Sequence, residues 1–135
     1  MPDTAVVGNI PFLRHTHGMK ILEYYTNSAA TSSTTVAKRE WMLGGYYRIV
    51  DLIANAETIA TGPGNTILDV LLNGTSVFTA AADRLTLASS NTGKFTRGSI
   101  ATTSIEPEDI LELYVDAIPT TGAGRLMFVA ILVPA

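Results

Sequence analysis

Apolar and polar residues alternate most regularly over residues 110–118, where Leu111, Leu113, Val115 and Ala117 are separated by Glu112, Tyr114 and Asp116. A period of two sends the two sets to opposite faces of an extended chain, so this stretch predicts a strand buried on one side. Residues 67–72 carry the same pattern, with Leu68, Val70 and Leu72 on one face and Asp69 on the other. They run into Asn73-Gly74, a dipeptide suited to a tight turn in which both central residues need positive φ. Val77 and Phe78 begin the return, and the rest of the chain is arranged around this hairpin. Residues 46–53, rich in aromatic and β-branched side chains and preceded by Gly44-Gly45, predict another strand. In that reading Val50, Leu52 and Ala54 face the core and Asp51 faces outward.

Shorter elements fill the intervals. Residues 84–87 predict a short strand, residues 80–83 a loop with one helical turn, and residues 95–103 a loosely alternating segment. Gly98 within that segment marks a bulge or a close backbone approach. Turns fall at Gly62-Pro63-Gly64, at residues 89–93, at residues 106–109 and at residues 119–124. Short strands at regular spacing, punctuated by Gly, Pro and Asn, predict an all-β chain. We expect an antiparallel jelly-roll or β-sandwich of about eight strands, with an extended N-terminal arm. The first forty residues differ in texture. Short apolar patches (Val6, Val7, Ile10, Phe12, Leu13) are broken by Gly8, Pro11 and Gly18, and a possible strand over 20–25 precedes a small-residue polar stretch. We therefore divide the chain into an arm and linker over 1–40 and a β domain over 41–135, the arm packing on its own domain or on a neighbour.

Residues 126–133 have no polar face at all. An antiparallel strand that is apolar on both sides has a covered back or sits in a subunit interface. Composition points the same way. In 135 residues, 47% are hydrophobic and only 16% charged, well below the usual charge content of a soluble domain. Such a chain buries an unusual share of itself or covers its surface with partners. The candidate interface residues are Ile10, Phe12, Leu13, Tyr24 and Tyr25 from the arm, and Met127, Val129, Ile131 and Val133 from the last strand.

The search for chemistry yields little. A net charge of −3 with scattered basic residues argues against a nucleic-acid partner. No cysteine is present, so no disulfide or thiolate metal site is available. The N-terminus lacks a secretory pattern and the longest apolar run is too short to span a bilayer, so we expect cytoplasmic synthesis and no membrane partner. His15 and His17 would point the same way in an extended segment, but a zinc site needs further ligands. Glu106, Glu108, Asp109 and Glu112 form the densest acidic group; oxygen ligands in a loop could hold calcium, but the spacing matches no EF-hand loop and acids flanking a turn before a strand are usually solvated. Trp41, Tyr46 and Tyr47 could stack on a sugar, though they read better as strand or interface residues. No catalytic residue, metal or cofactor is expected.

Three stretches carry a family resemblance. Residues 66–78, running from Thr66 through Asp69, Val70 and Asn73-Gly74 to Ser76-Val77-Phe78, resemble the turn-bearing hairpin of jelly-roll domains in tailed-bacteriophage virion proteins. Residues 104–116 resemble a later strand of the same domains, with Glu108 where a glycine is usual. Thr120-Thr121-Gly122-Ala123-Gly124 and an apolar final strand complete the pattern. The resemblance implies a non-enzymatic structural virion protein, a homotrimer on the outer capsid surface that binds the major capsid protein and cements the head. It leaves open the alternative of a receptor- or carbohydrate-binding module in a tail or head fibre.

Overall fold

The Asn73-Gly74 turn has φ of 52° and 86°, the left-handed pair that a two-residue hairpin turn demands. Asn73 does more than turn the chain. Its amide Nδ2 donates to Asp109 Oδ1 at 2.8 Å, and its Oδ1 accepts the Ile110 N–H at 2.9 Å. The hairpin is thereby clipped to the start of the strand beside it.

The computed structural model describes residues 19–26, 28–31 and 38–135. Among these residues ten strands form: β1 (Lys20–Tyr25), β2 (Arg39–Met42), β3 (Tyr47–Thr58), β4 (Asn65–Leu72), β5 (Thr75–Ser76), β6 (Leu85–Ala88), β7 (Gly93–Lys94), β8 (Ser104–Ile105), β9 (Ile110–Ala117) and β10 (Gly124–Pro134). A 3₁₀ turn occupies Ala81–Asp83. One sheet runs β1-β10-β3-β7, with β8 also pairing β3; the other runs β2-β9-β4-β5, with β6 also pairing β4. Every pairing is antiparallel. The nesting is that of a rolled hairpin. The first strand pairs with the last, β2 with β9, β3 with β7 and β8, and β4 with β5 and β6, which is the jelly-roll connection of a β-sandwich.

Side-chain alternation builds the core between the sheets. From one side come Ile49, Leu52, Leu126, Phe128, Ala130 and Leu132; from the other come Leu68, Val70, Leu111, Leu113 and Val115. Phe128 is fully buried, and its ring lies 6.0 Å from that of Trp41 on β2, so the two sheets are joined by stacked aromatics near one edge. Tyr47 packs on the same core with Lys20 Nζ 5.8 Å above its ring. Of the three aromatics considered for sugar stacking, only Tyr46 is largely exposed.

Two positions depart from the sequence reading. Val50 does not face the core. A register shift between Ile131 and Leu132 sets Leu132 opposite Ile49 and Ile131 opposite Asp51, leaving Val50 as the extra residue of a bulge. Ile49 takes the inward place and Val50 is half-exposed on the outside. Asp69 points away from the core, as its parity requires, yet it is buried. It accepts hydrogen bonds from Ser76 Oγ (2.6 Å) and its neighbour's Val70 N–H (2.8 Å), while Arg84 Nε lies 3.1 Å from Oδ2. Arg84 in turn bonds Asp116 at 2.8 Å. Burial pushes the Asp69 carboxyl up, against the pull of Ser76, Arg84 and the Val70 amide. This knot ties β4, β6 and β9 on the outer side of their sheet.

The segment over 95–103 forms bridges at Thr96 and Ile100 and no continuous strand. Gly98 is the close approach anticipated for it, since a Cβ there would overlap the Asp83 side chain. Gly122 likewise has no room for a side chain, because Ala30 O lies 2.5 Å from where its Cβ would be. That contact brings in the described part of the expected arm. Lys20–Tyr25 pairs along β10, Ala29 bridges Gly124, and Arg39–Met42 pairs with β9. Residues 20–26, 28–31 and 38–42 are thus built into the sandwich, whereas Ile10, Phe12 and Leu13 lie outside the described residues.

Candidate assembly interface

The sheet containing β10 has one face on the core and one that no described residue crosses. Its centre is β10, which carries Met127, Val129, Ile131 and Val133 outward, all half-buried by their neighbours on the same face. Register fixes those neighbours. Ile21, Glu23 and Tyr25 of β1 lie opposite Ile131, Val129 and Met127. On the other flank Asp51, Ile53 and Asn55 of β3 lie opposite the same three residues, and Arg48 lies opposite Val133. The bulge adds Val50. Ile21 is 53% exposed, Tyr25 59% and Val50 50%. The result is a stripe of seven or more adjoining apolar side chains with polar groups at its borders (Glu23 on one side, Asp51 and Arg48 on the other). Isolated exposed apolar residues need no explanation, but a contiguous sheet face of them is a feature of binding surfaces.

Tyr24 does not join this face. It sits opposite Phe128 and packs half-buried on the core, while its neighbour Tyr25 points outward. β1 pairs without a bulge, so its adjacent residues take opposite sides and only one of the two tyrosines faces outward. Desolvation on the strand, followed by the charge and hydrogen bond of Glu23, pushes the Tyr25 phenol up.

The β3 border is held by a device the sequence did not advertise. The short strands β7 and β8 pair only with the two ends of β3, and between them Leu52 has no strand partner on that side. Its N–H is accepted by Asp51 Oδ1 at 2.8 Å, and its carbonyl accepts Arg97 Nε at 3.1 Å. Arg97 Nη2 closes the loop by pairing with Asp51. A carboxylate and a guanidinium therefore stand in for the missing strand residue. Partial burial raises the Asp51 carboxyl, but hydrogen bonds from Arg97 and the Leu52 amide, with the charges of Arg97 and Lys94, outweigh it and hold it below the usual carboxylate range.

Other candidate chemistry resolves into structure. Asp109 caps its own turn by accepting the Glu106 N–H at 2.8 Å and binds Asn73, and these two bonds lower its carboxyl. Among the described residues no group of three or more His, Cys, Asp or Glu side chains could hold a metal ion. His15 and His17 lie outside the described residues, and among those described no helix is long and apolar enough to cross a membrane. The face on β1, β10 and β3 offers area for contact. Comparison with protein-family models, with curated proteins and with solved structures gives no match to this chain.

Proposed function

We propose that the chain is a structural virion protein, a jelly-roll homotrimer that decorates the outer surface of a tailed-phage capsid and stabilises the head. The observation that carries this reading is the apolar face of β1, β10 and β3, which no described residue covers and which gives a folded domain of low charge a surface to bury against a copy or a capsid. The resemblance of residues 66–78 and 104–116 to virion jelly rolls supplies the setting. In the proposed assembly, Val129 and Ile131 at the centre of the face are dehydrated by a neighbouring subunit, and the polar border residues stay wet, the usual anatomy of a protein interface. Added buried area between subunits and capsid then opposes the outward pressure of packaged DNA.

Light scattering of the purified chain, alone and with undecorated tailed-phage heads, tests the proposal. A trimer that co-sediments with heads at a fixed stoichiometry is the expected result. A trimer that ignores heads and binds cells or glycans would assign the protein to a fibre instead, and a monomer at micromolar concentration would overturn the assembly reading.

A further inference from the structure

The outer face of the β1-β10-β3 sheet changes character at one end. Tyr25 lies opposite Met127 and Met127 opposite Asn55, one row of side chains across three strands. In the next row the register sets Arg125 across from Glu57, and Arg125 Nη1 lies 3.3 Å from Glu57 Oε1. These five residues line a cleft of about 210 Å³. Its walls are accessible, with Tyr25 59% exposed and the Arg125 and Glu57 side chains each more than half exposed. The apolar stripe thus gives way to an aromatic ring beside an amide, a carboxylate and a guanidinium. Glu23 engages the Tyr25 phenol by a hydrogen bond, which leaves the ring face for a ligand. Arg125 has φ of 50°, a left-handed conformation that costs free energy in a residue with a Cβ and that clusters at ligand clamps.

We propose that this cleft binds a single neutral pyranose ring, one face of the sugar resting on Tyr25 and its hydroxyls shared among Asn55, Glu57 and Arg125. The C–H face of a pyranose is apolar and fits an aromatic surface, while its rim of hydroxyls both donates and accepts. Glu57 accepts, Arg125 donates and Asn55 does both, so the wall matches that rim. An exposed ion pair contributes little by itself, so a diol can take over both partners at small cost. The balance of charge selects a neutral ligand, because an anion meets Glu57 and Glu23 and a cation meets Arg125. Size selects one ring: a cavity of about 150 Å³ takes benzene, so this cleft takes a six-membered ring with its hydroxyls and not two. The site leaves Val129 and Ile131, at the centre of the outer face, free, and it does not rest on the assembly reading.

Chemical-shift titration of the isotope-labelled full chain with the methyl glycosides of glucose, galactose, mannose and N-acetylglucosamine tests it. Saturable shifts centred on Tyr25 and Asn55 are expected for at least one of the four, with a millimolar dissociation constant, as a small ring on an open site allows. The methyl glycosides of glucuronate and glucosamine are expected to bind more weakly than that of glucose. Tyr25→Ser should weaken binding about tenfold, the worth of an aromatic contact. Arg125→Gly accommodates the left-handed backbone, so it should leave the melting temperature near that of the unaltered chain while weakening binding about tenfold or more. No saturable shift with any of the four, shifts centred elsewhere, or a charged sugar bound as tightly as its neutral counterpart would each overturn the proposal. So would an Arg125→Gly chain that binds like the unaltered one. The titrations of the unaltered protein decide the matter even where a variant fails to fold. They are read separately from light scattering and sedimentation with heads, so either proposal can fail while the other stands.

Discussion

Replacing Val129 by Asp is the sharpest perturbation of the outer face, because the next residue provides its control. Val129 is half-buried within the subunit, so its loss forfeits about half of the 1.5–3 kcal/mol that full burial of such a side chain contributes. Poor strand propensity adds up to about 1 kcal/mol. A cost of about 1–2 kcal/mol leaves a domain of ordinary stability folded. In an assembled interface the same carboxylate is an unpaired buried charge costing about 3–5 kcal/mol, which lowers association by about two to four orders of magnitude. Ala130 faces the other sheet and has no exposed surface. Ala130→Asp therefore places its charge in the core, where the penalty falls on folding itself. Light scattering across a dilution series gives the mass, and circular dichroism melting gives the fold. Val129→Asp should be folded and dissociated, and Ala130→Asp unfolded. If Val129→Asp keeps the mass and dilution behaviour of the unaltered chain, this face is not the interface. If it melts as early as Ala130→Asp, the face is part of the core.

Two further outcomes test the polar clips. Arg97→Met strips the Leu52 carbonyl of its partner, for about 1–3 kcal/mol, and removes the pair with Asp51. Because the Asp51 carboxyl lies below its ordinary value, its contribution is present in full above about pH 4 and disappears as pH falls through the lowered value. Urea midpoints should therefore separate most at neutral pH and narrow on acidification to the gap left by the Leu52 carbonyl; a gap that stays constant down to pH 2 would mean that the pair contributes nothing. Asn73→Asp preserves a residue tolerant of positive φ but turns a donor to Asp109 into a second carboxylate. Its melting temperature should fall at pH 7 and rejoin that of the unaltered chain once the carboxylates are protonated; a deficit that persists in acid would show that lost geometry, not repulsion, is responsible.

Strict alternation made β9 legible, and the Asn-Gly dipeptide made the β4–β5 turn legible, because both features act over a few neighbouring residues. β10 was visible as an apolar run, and among the described residues nothing lies over its outer face, which it shares with β1 and β3. What escaped depended on partners distant in sequence. The bulge at Val50 arises from the register with Ile131 and Leu132, so no local pattern announces that Ile49, and not Val50, turns inward. Asp69 had the right parity but was expected at the surface, since nothing near it in sequence reveals that Arg84 and Asp116 converge there. Arg97 was one scattered cation until the gap between β7 and β8 gave it a role. Tyr24 was the avoidable error. Its strand places Ile21, Glu23 and Tyr25 on one side and Leu22 and Tyr24 on the other, so period-two reasoning applied within the strand separates the two tyrosines.

The pairing of β1 with β10 has a kinetic consequence. Lys20 meets Leu132 across nearly the whole described chain, whereas β4 finds β5 and β6 within a few tens of residues. Chain-closure entropy makes such distant contacts slow to form, so the local hairpins are placed to come first and the edge strand to arrive late. Until it does, β10 presents an open hydrogen-bonding edge as well as an apolar back. At high concentration that slot is equally complementary to the β1 of another molecule, which makes slow, dilute refolding the condition under which each chain closes on itself.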